Sequence, residues 1–222
     1  MAPPLQTCVD THHFDGIAYR IRRLIDGNQF DDPDGITEAL GISSASWPLF
    51  GMLWPSGLLL ADLISRETLG PGKILELGCG LGMASLVANA RGADILATDY
   101  HPRAAVFLQD NSRRNALADT PFRRLDWRVP EPDLGVFSLI IGSDLLYEPD
   151  HPDLLTAFLV RHSDAATRII IVDPKRRLHV RFRKQMAAAG FDCHRETGST
   201  VQFAAYGFKG VVQRFSGFNP PQ

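Results

Sequence analysis

"KILELGCGLGMASL", residues Lys73 to Leu86, runs an apolar stretch into three closely spaced glycines and then into a second apolar stretch. That order reads as a buried strand, a tight turn and a helix. Gly78, Gly80 and Gly82 permit positive φ and let backbone N–H groups come within hydrogen-bonding distance of a ligand. The spacing is G-x-G-x-G. A dinucleotide turn wants G-x-G-x-x-G, whose third glycine would fall at Met83, and no G-x-x-x-x-G-K-S/T occurs. Asp99 ends the next apolar run, seventeen residues after Gly82, where a carboxylate can accept both hydroxyls of a ribose.

Outward from this turn, apolar runs alternate with helical segments. Strands are expected at residues 73–78, 94–99, 122–127, 136–144 and 168–173, and helices at 82–90, 102–118, 152–163 and 177–189. "ILATD", "FSLIIGSD" and "RIIIVD" are apolar on both faces, as strands covered by helices on each side should be. The pattern predicts a doubly wound, mostly parallel α/β sheet. The tail "FDCHRETGSTVQFAAYGFKGVVQRF" has no helix-length segment and predicts two strands turning near residues 207–210, an antiparallel edge hairpin. Before Lys73, "GIAYRIRRLI" places Ile17, Tyr19 and Ile21 on one face of a strand, with Arg20 and Arg22 on the other. "DGNQFDDPDG" is a turn-rich acidic loop, and Pro55 opens an amphipathic helix. One domain is expected, with residues 1–72 as an extension over the ligand cleft and 73–222 as the core.

Composition narrows the class. A chain of 222 residues with 45% hydrophobic and 22% charged residues can bury a full core. A net charge of −2 gives no general attraction to nucleic acid or anionic membrane. Cys8, Cys79 and Cys193 suit neither a zinc site nor a disulfide framework, which favours a reducing cytoplasm. "MAPPLQTCVDTHHFDG" does not read as a signal peptide, and the apolar stretches fall short of the ~20 residues of a membrane span. His12 and His13 are expected in a frayed terminus, and the other five histidines show no metal spacing. No H-E-x-x-H or G-x-S-x-G occurs. "RRNALADTPFRR" and "PKRRLHVRFRK" read first as solvated helix faces, and second as surfaces for an acidic protein or RNA.

With these motifs assembled, the chain resembles the class I S-adenosylmethionine-dependent methyltransferases. "LELGCGLG" looks like their first motif and "ATDYHP" like their second-strand acidic motif. Within that superfamily it is most similar to methyltransferase family 16, the lysine-methyltransferase-like group. "LWPSGLLLADLI", "LDW" and "SDLLYEP" also carry the likeness, which extends from about Trp47 to Asp173. The sequence departs from bacterial relatives at "SWPLFGMLWP" and at Asp173-Pro174-Lys175-Arg176, two places able to line an acceptor cleft.

The resemblance implies a Rossmann-like, seven-stranded sheet and S-adenosylmethionine as cofactor. It places Gly78, Cys79, Gly80 and Gly82 beneath the methionine moiety, with N–H groups at the next helix start facing its carboxylate. Glu76 is expected near the ammonium or a water, or else as an exposed strand-end charge. Asp99 would hold the ribose, and Tyr100 would pack on the adenine. Asp126 would meet the adenine amino group with Trp127 beside the ring, or be a solvated carboxylate beside a core indole. Trp54 would close the pocket, its face attracting the sulfonium. Ser143, Asp144 and Tyr147 stand where the methyl group would be presented.

A lysine acceptor has a reference pKa of about 10.4, so freeing its lone pair at pH 7 costs about 4–5 kcal/mol unless the site shifts it. Asp144 would recruit the ammonium and aim the amine, and Tyr147 would wall the channel; the alternative is a turn-capping Asp144 and a core Tyr147. Leu145-Leu146 stand where base-modifying relatives carry prolines, which favours a protein amine over a flipped base. RNA or a small-molecule amine is the second reading, and a non-catalytic cofactor-binding interaction protein the third. Asp144 and Tyr147 argue against the last.

Overall fold

The chain opens with a hairpin of which the sequence reading caught only one strand. The computed structural model describes residues 5–175, 177–197 and 201–220, so Arg176 lies outside the described residues. β1 (Thr7–Phe14) pairs antiparallel with β2 (Ile17–Leu24). Asp15 and Gly16 join them at φ 49° and 78°, the two positive values that a two-residue turn matching the strand twist requires. His12 and His13 are therefore not frayed: they face Tyr19 and Ala18 in the ladder. Tyr19 and Ile21 are buried as expected, whereas Ile17 beside the turn is exposed.

A four-residue helix, α1 (Ile36–Ala39), and a 3-10 turn (Trp47–Gly51) lead to α2 (Pro55–Arg66), with Pro55 in its first turn. Trp47–Arg66 has the length and hydropathy of a membrane span, against the sequence expectation, but 61% of its apolar window is buried inside the fold. It is a core segment here: Leu59, Leu60 and Ile64 are fully buried.

Next come β3 (Ile74–Leu77), α3 (Met83–Ala90), β4 (Ile95–Asp99), α4 (Ala104–Arg114), β5 (Phe122–Arg124), β6 (Leu139–Ser143), α5 (His151–Arg161), β7 (Arg168–Asp173) and α6 (Leu178–Ala188). β8 (Asp192–Thr197), α7 (Val201–Ala205) and β9 (Val211–Ser216) complete the chain. β5 stops at Arg124, so Asp126 and Trp127 lie in the turn beyond it and not on the strand. α7 sits between the tail strands where only a turn was expected.

The seven strands order as β5-β4-β3-β6-β7-β9-β8, with β9 antiparallel to both neighbours and the first five parallel. The expected seven-stranded, doubly wound sheet with an antiparallel edge hairpin is what forms. Successive strand residues point to opposite faces. In β7, Ile170 and Val172 join one core with α2, α3 and α4, while Ile169 and Ile171 join another with α5 and α6. Strand order reverses at β3, so the loops after β3 and β6 diverge and leave a crevice at the carboxyl ends.

The N-terminal hairpin docks through an unusual contact. Asn111 on α4 and Asn115, which caps its C-terminal end one turn later, each bond both ways to the β2 backbone. Asn111 Oδ1 accepts from Arg22 N at 2.7 Å and its Nδ2 donates to Arg22 O at 3.3 Å. Asn115 does the same with Arg20, at 2.8 and 2.9 Å. Four helical residues rise ~6 Å and two strand residues ~6.6 Å, so the two repeats match. Asn111 also donates to Leu81 O at 3.1 Å, which ties β2 to the glycine turn.

Candidate active site

A cleft of about 640 Å³ opens beyond the carboxyl ends of β3, β4 and β6. That size suits a ligand of a few hundred daltons. Trp54, Gly78, Cys79, Gly80, Asp99, Tyr100, Asp126, Trp127, Ser143, Asp144 and Tyr147 all border it. Glu76 and Gly82 do not border it.

The glycine turn takes left-handed φ at all three positions, 59°, 51° and 75°. At Gly80 a Cβ would lie 2.9 Å from the Phe50 carbonyl oxygen, so the turn and the 3-10 segment touch through bare backbone. Gly82 is the residue before α3, and a Cβ there would strike Leu108 Cδ1 at 2.2 Å. Its glycine serves packing beneath the cleft. Cys79 is buried, and burial, with Asp99 and Glu76 nearby, pushes its thiol well up and out of the nucleophilic range.

Glu76 corrects one expectation. It is only 4% exposed, beneath the cleft and not a strand-end surface charge. Its Oε2 accepts from Ser85 N at 2.9 Å and from the Ser85 hydroxyl, inside the first turn of α3. The helix start thus already holds a carboxyl group of the protein, so at least one N–H expected to face a ligand carboxylate is committed. Burial pushes Glu76 up to about 7 despite those two bonds.

Asp99 is held in the same manner at the end of β4. Its Oδ2 accepts from Gly80 N and its Oδ1 from His101 N, both at 2.8 Å. Burial raises its pKa while those N–H groups lower it. Each oxygen has a further lone pair for a ligand hydroxyl. His101, missed in the sequence, stacks on Phe50 at 4.1 Å with Trp47 at its edge, and burial brings it down to about 4.

The part of the cleft beyond β5 is side-chain built. Arg128 forks onto Asp126, with Nη2 to Oδ2 at 2.8 Å, and the bond from Arg128 holds Asp126 below the usual carboxylate range. Arg128 also donates to the Tyr100 hydroxyl at 3.1 Å and lies 5.6 Å over its ring. The Tyr100 hydroxyl in turn donates to Leu40 O. Trp54 Nε1 donates to Leu49 O at 3.0 Å, which fixes its ring at the N-terminal wall.

At the end of β6, Asp144 takes φ 56°, and its Oδ2 accepts from the Ser56 hydroxyl in the first turn of α2. Tyr147 is 50% exposed, so it is no core residue. Buried Leu145 and Leu146 anchor the loop between them. His151, also missed, borders the cleft edge-on to Tyr147 at 4.5 Å and to Trp127 at 5.6 Å. Among the described residues no cluster suited to a metal ion occurs.

The family model described as "Lysine methyltransferase" matches residues 44–188, from the 3-10 segment through α6. The chain belongs to the lysine methyltransferase family. Among relatives, the mouse electron transfer flavoprotein beta subunit lysine methyltransferase is 33% identical over 133 residues, covering 58% of this chain and 51% of that protein. Protein N-lysine methyltransferase METTL21A of Xenopus tropicalis is 30% identical over 141 residues, covering 59% and 64% respectively. The chain spans about half the length of the first of these relatives. The 16S rRNA N2 G1207 methyltransferase RsmC of T. thermophilus, solved with AdoMet and guanosine, superposes with a TM-score of 0.64 over 96% of this lysine methyltransferase family member and 51% of RsmC. At 15% identity that likeness shows the shared fold.

Proposed function

We propose that the chain transfers a methyl group from S-adenosylmethionine to a lysine side chain of a protein. One observation carries the reading. A single cleft joins the glycine turn and Asp99, which suit a ribosyl amino acid, to Asp144 and Tyr147, which suit an amine. The cofactor fits the residues present: Asp99 has lone pairs to share, and Trp54, Tyr100 and Trp127 offer aromatic faces. When bound, S-adenosylmethionine supplies an electrophilic methyl carbon on a sulfonium.

The protein's task is then to recruit, neutralise and align an amine. Asp144 attracts the ammonium, and its bond from Ser56 aims the carboxylate. Tyr147 walls the approach, and alignment does much of the catalytic work. In this reading residues 1–72 wall the cleft and meet the acceptor, while 73–222 hold the cofactor. The substrate is a protein, with nucleic acid and membrane disfavoured by the −2 charge, and three free cysteines support a cytoplasmic setting.

Transfer of radiolabelled methyl into cell extract tests the reading. Label should be released by protease and survive ribonuclease; label confined to RNA or small metabolites would overturn the protein acceptor. Asp144→Asn should lower transfer about tenfold or more, in line with one charged hydrogen bond, while leaving cofactor affinity near wild type.

A further inference from the structure

His151 lies outside every motif that marked the cleft, yet its neutral ring is held as one tautomer. Nδ1 is 2.6 Å from the Leu145 carbonyl oxygen. A carbonyl only accepts, so Nδ1 must carry a proton. In the neutral ring Nε2 is then a bare lone pair, and the ring that bears it borders the cleft between Tyr147 and Trp127. Resting on the lysine-methylation reading above, we propose that His151 Nε2 accepts the proton of the incoming lysine ammonium.

The step balances without a further reagent. The ammonium N–H bond breaks, a proton forms a bond to Nε2, and the lysine keeps the electron pair. The amine then forms its N–C bond as the sulfonium's C–S bond breaks, with that electron pair staying on sulfur. Imidazolium and imidazole both keep Nδ1–H, so the Leu145 anchor survives both states and the ring need not turn between them.

The charged groups around this end divide by sign. Glu148 and Asp150 on its own loop, Asp144 after β6 and Asp126 after β5 are acidic. Arg128 is paired to Asp126, Arg161 donates to Trp127 O at 3.2 Å, and Arg181 of α6 donates to Pro149 O at 3.1 Å. Asp153, in the same first turn, pairs with Arg181, and Tyr147 is a further titratable neighbour. The cleft therefore offers His151 carboxylates to steer the ammonium, while the named arginines are engaged with protein acceptors.

Two measurements test this. Long-range proton–nitrogen NMR on the ¹⁵N-labelled full chain at mildly alkaline pH should show His151 as the Nδ1–H tautomer, the minor form for free histidine. An Nε2–H tautomer would overturn the proposal whatever the activity. The second compares initial rates of methyl transfer into extract protein from about pH 6 to 9, across the imidazole range. His151→Gln keeps a donor for Leu145 O but has no base. It should be ~100-fold slower at neutral pH and lose the imidazole-range rise, with cofactor affinity unchanged by calorimetry. A wild-type rate and profile in that variant would remove His151 and leave the methylation reading standing. No label in protein from the wild type would remove both.

Discussion

The floor of the cleft and its rim are built from different bonds. At the floor, Glu76 and Asp99 each accept from backbone N–H groups, and Gly80 presses bare backbone on Phe50. At the rim, Arg128 meets Asp126 and Tyr100, and Tyr147 meets His151, through exposed or partly exposed side chains. Floor residues are thus part of how the chain folds, and changing one moves stability and binding together. Rim residues can change chemistry while the fold stands.

The largest expected effect is at Gly80. A valine there would be β-branched at φ 51° and would meet the Phe50 carbonyl, so Gly80→Val should destabilise the fold by about 3 kcal/mol or more. An unchanged thermal midpoint would break the claim that the floor is structural.

Glu76 gives an effect of similar size with a sign that depends on pH. Its carboxyl is raised from 4.5 to about 7, so the folded state binds more protons across that window and loses stability as pH rises through it, by about 3 kcal/mol. His101 is lowered from 6.5 to about 4, so there the unfolded state binds more protons and stability rises with pH through that window. The two slopes oppose each other over most of their range. Glu76→Gln should unmask the His101 slope, which denaturant titrations at pH 4.5 and 6.5 would reveal. An identical pH profile in the variant would contradict the burial of Glu76.

Asp99→Ala comes next. It should weaken S-adenosylmethionine binding by about 1.5–3 kcal/mol per charged bond lost, read by calorimetric titration, and lower the melting point by freeing Gly80 N. Lost affinity with no loss of stability would move Asp99 from floor to rim. Arg128→Ala should have the smallest effect on stability, under ~1 kcal/mol for a pair whose arginine is 58% exposed. A large fall in melting temperature would erase the distinction.

Much of the floor was legible because it is local. Short-range spacing exposes a glycine turn at the end of an apolar strand, and an aspartate at the end of the next strand lies at the same sheet edge. What escaped the reading depends on contacts between distant segments. Glu76 could be read as an exposed strand-end charge because sequence does not show that Ser85 closes over it. β1 escaped because "TCVDTHHF" is polar for a strand, although Asp15-Gly16 was a turn signal that could have found it. His151 carries no motif: its relevance comes from a carbonyl six residues earlier and from rings on two other segments.

Asn111 and Asn115 have a consequence beyond docking. β2 is bonded to a strand along one edge only, and the opposite edge would otherwise present open donors and acceptors to any extended chain. The two amides answer at Arg20 and Arg22 as a neighbouring strand would, so a helix occupies a strand's place. Removing them would do more than loosen the hairpin. It would uncover a template on which a second molecule could add its own strand, and a folding defect would surface as self-association.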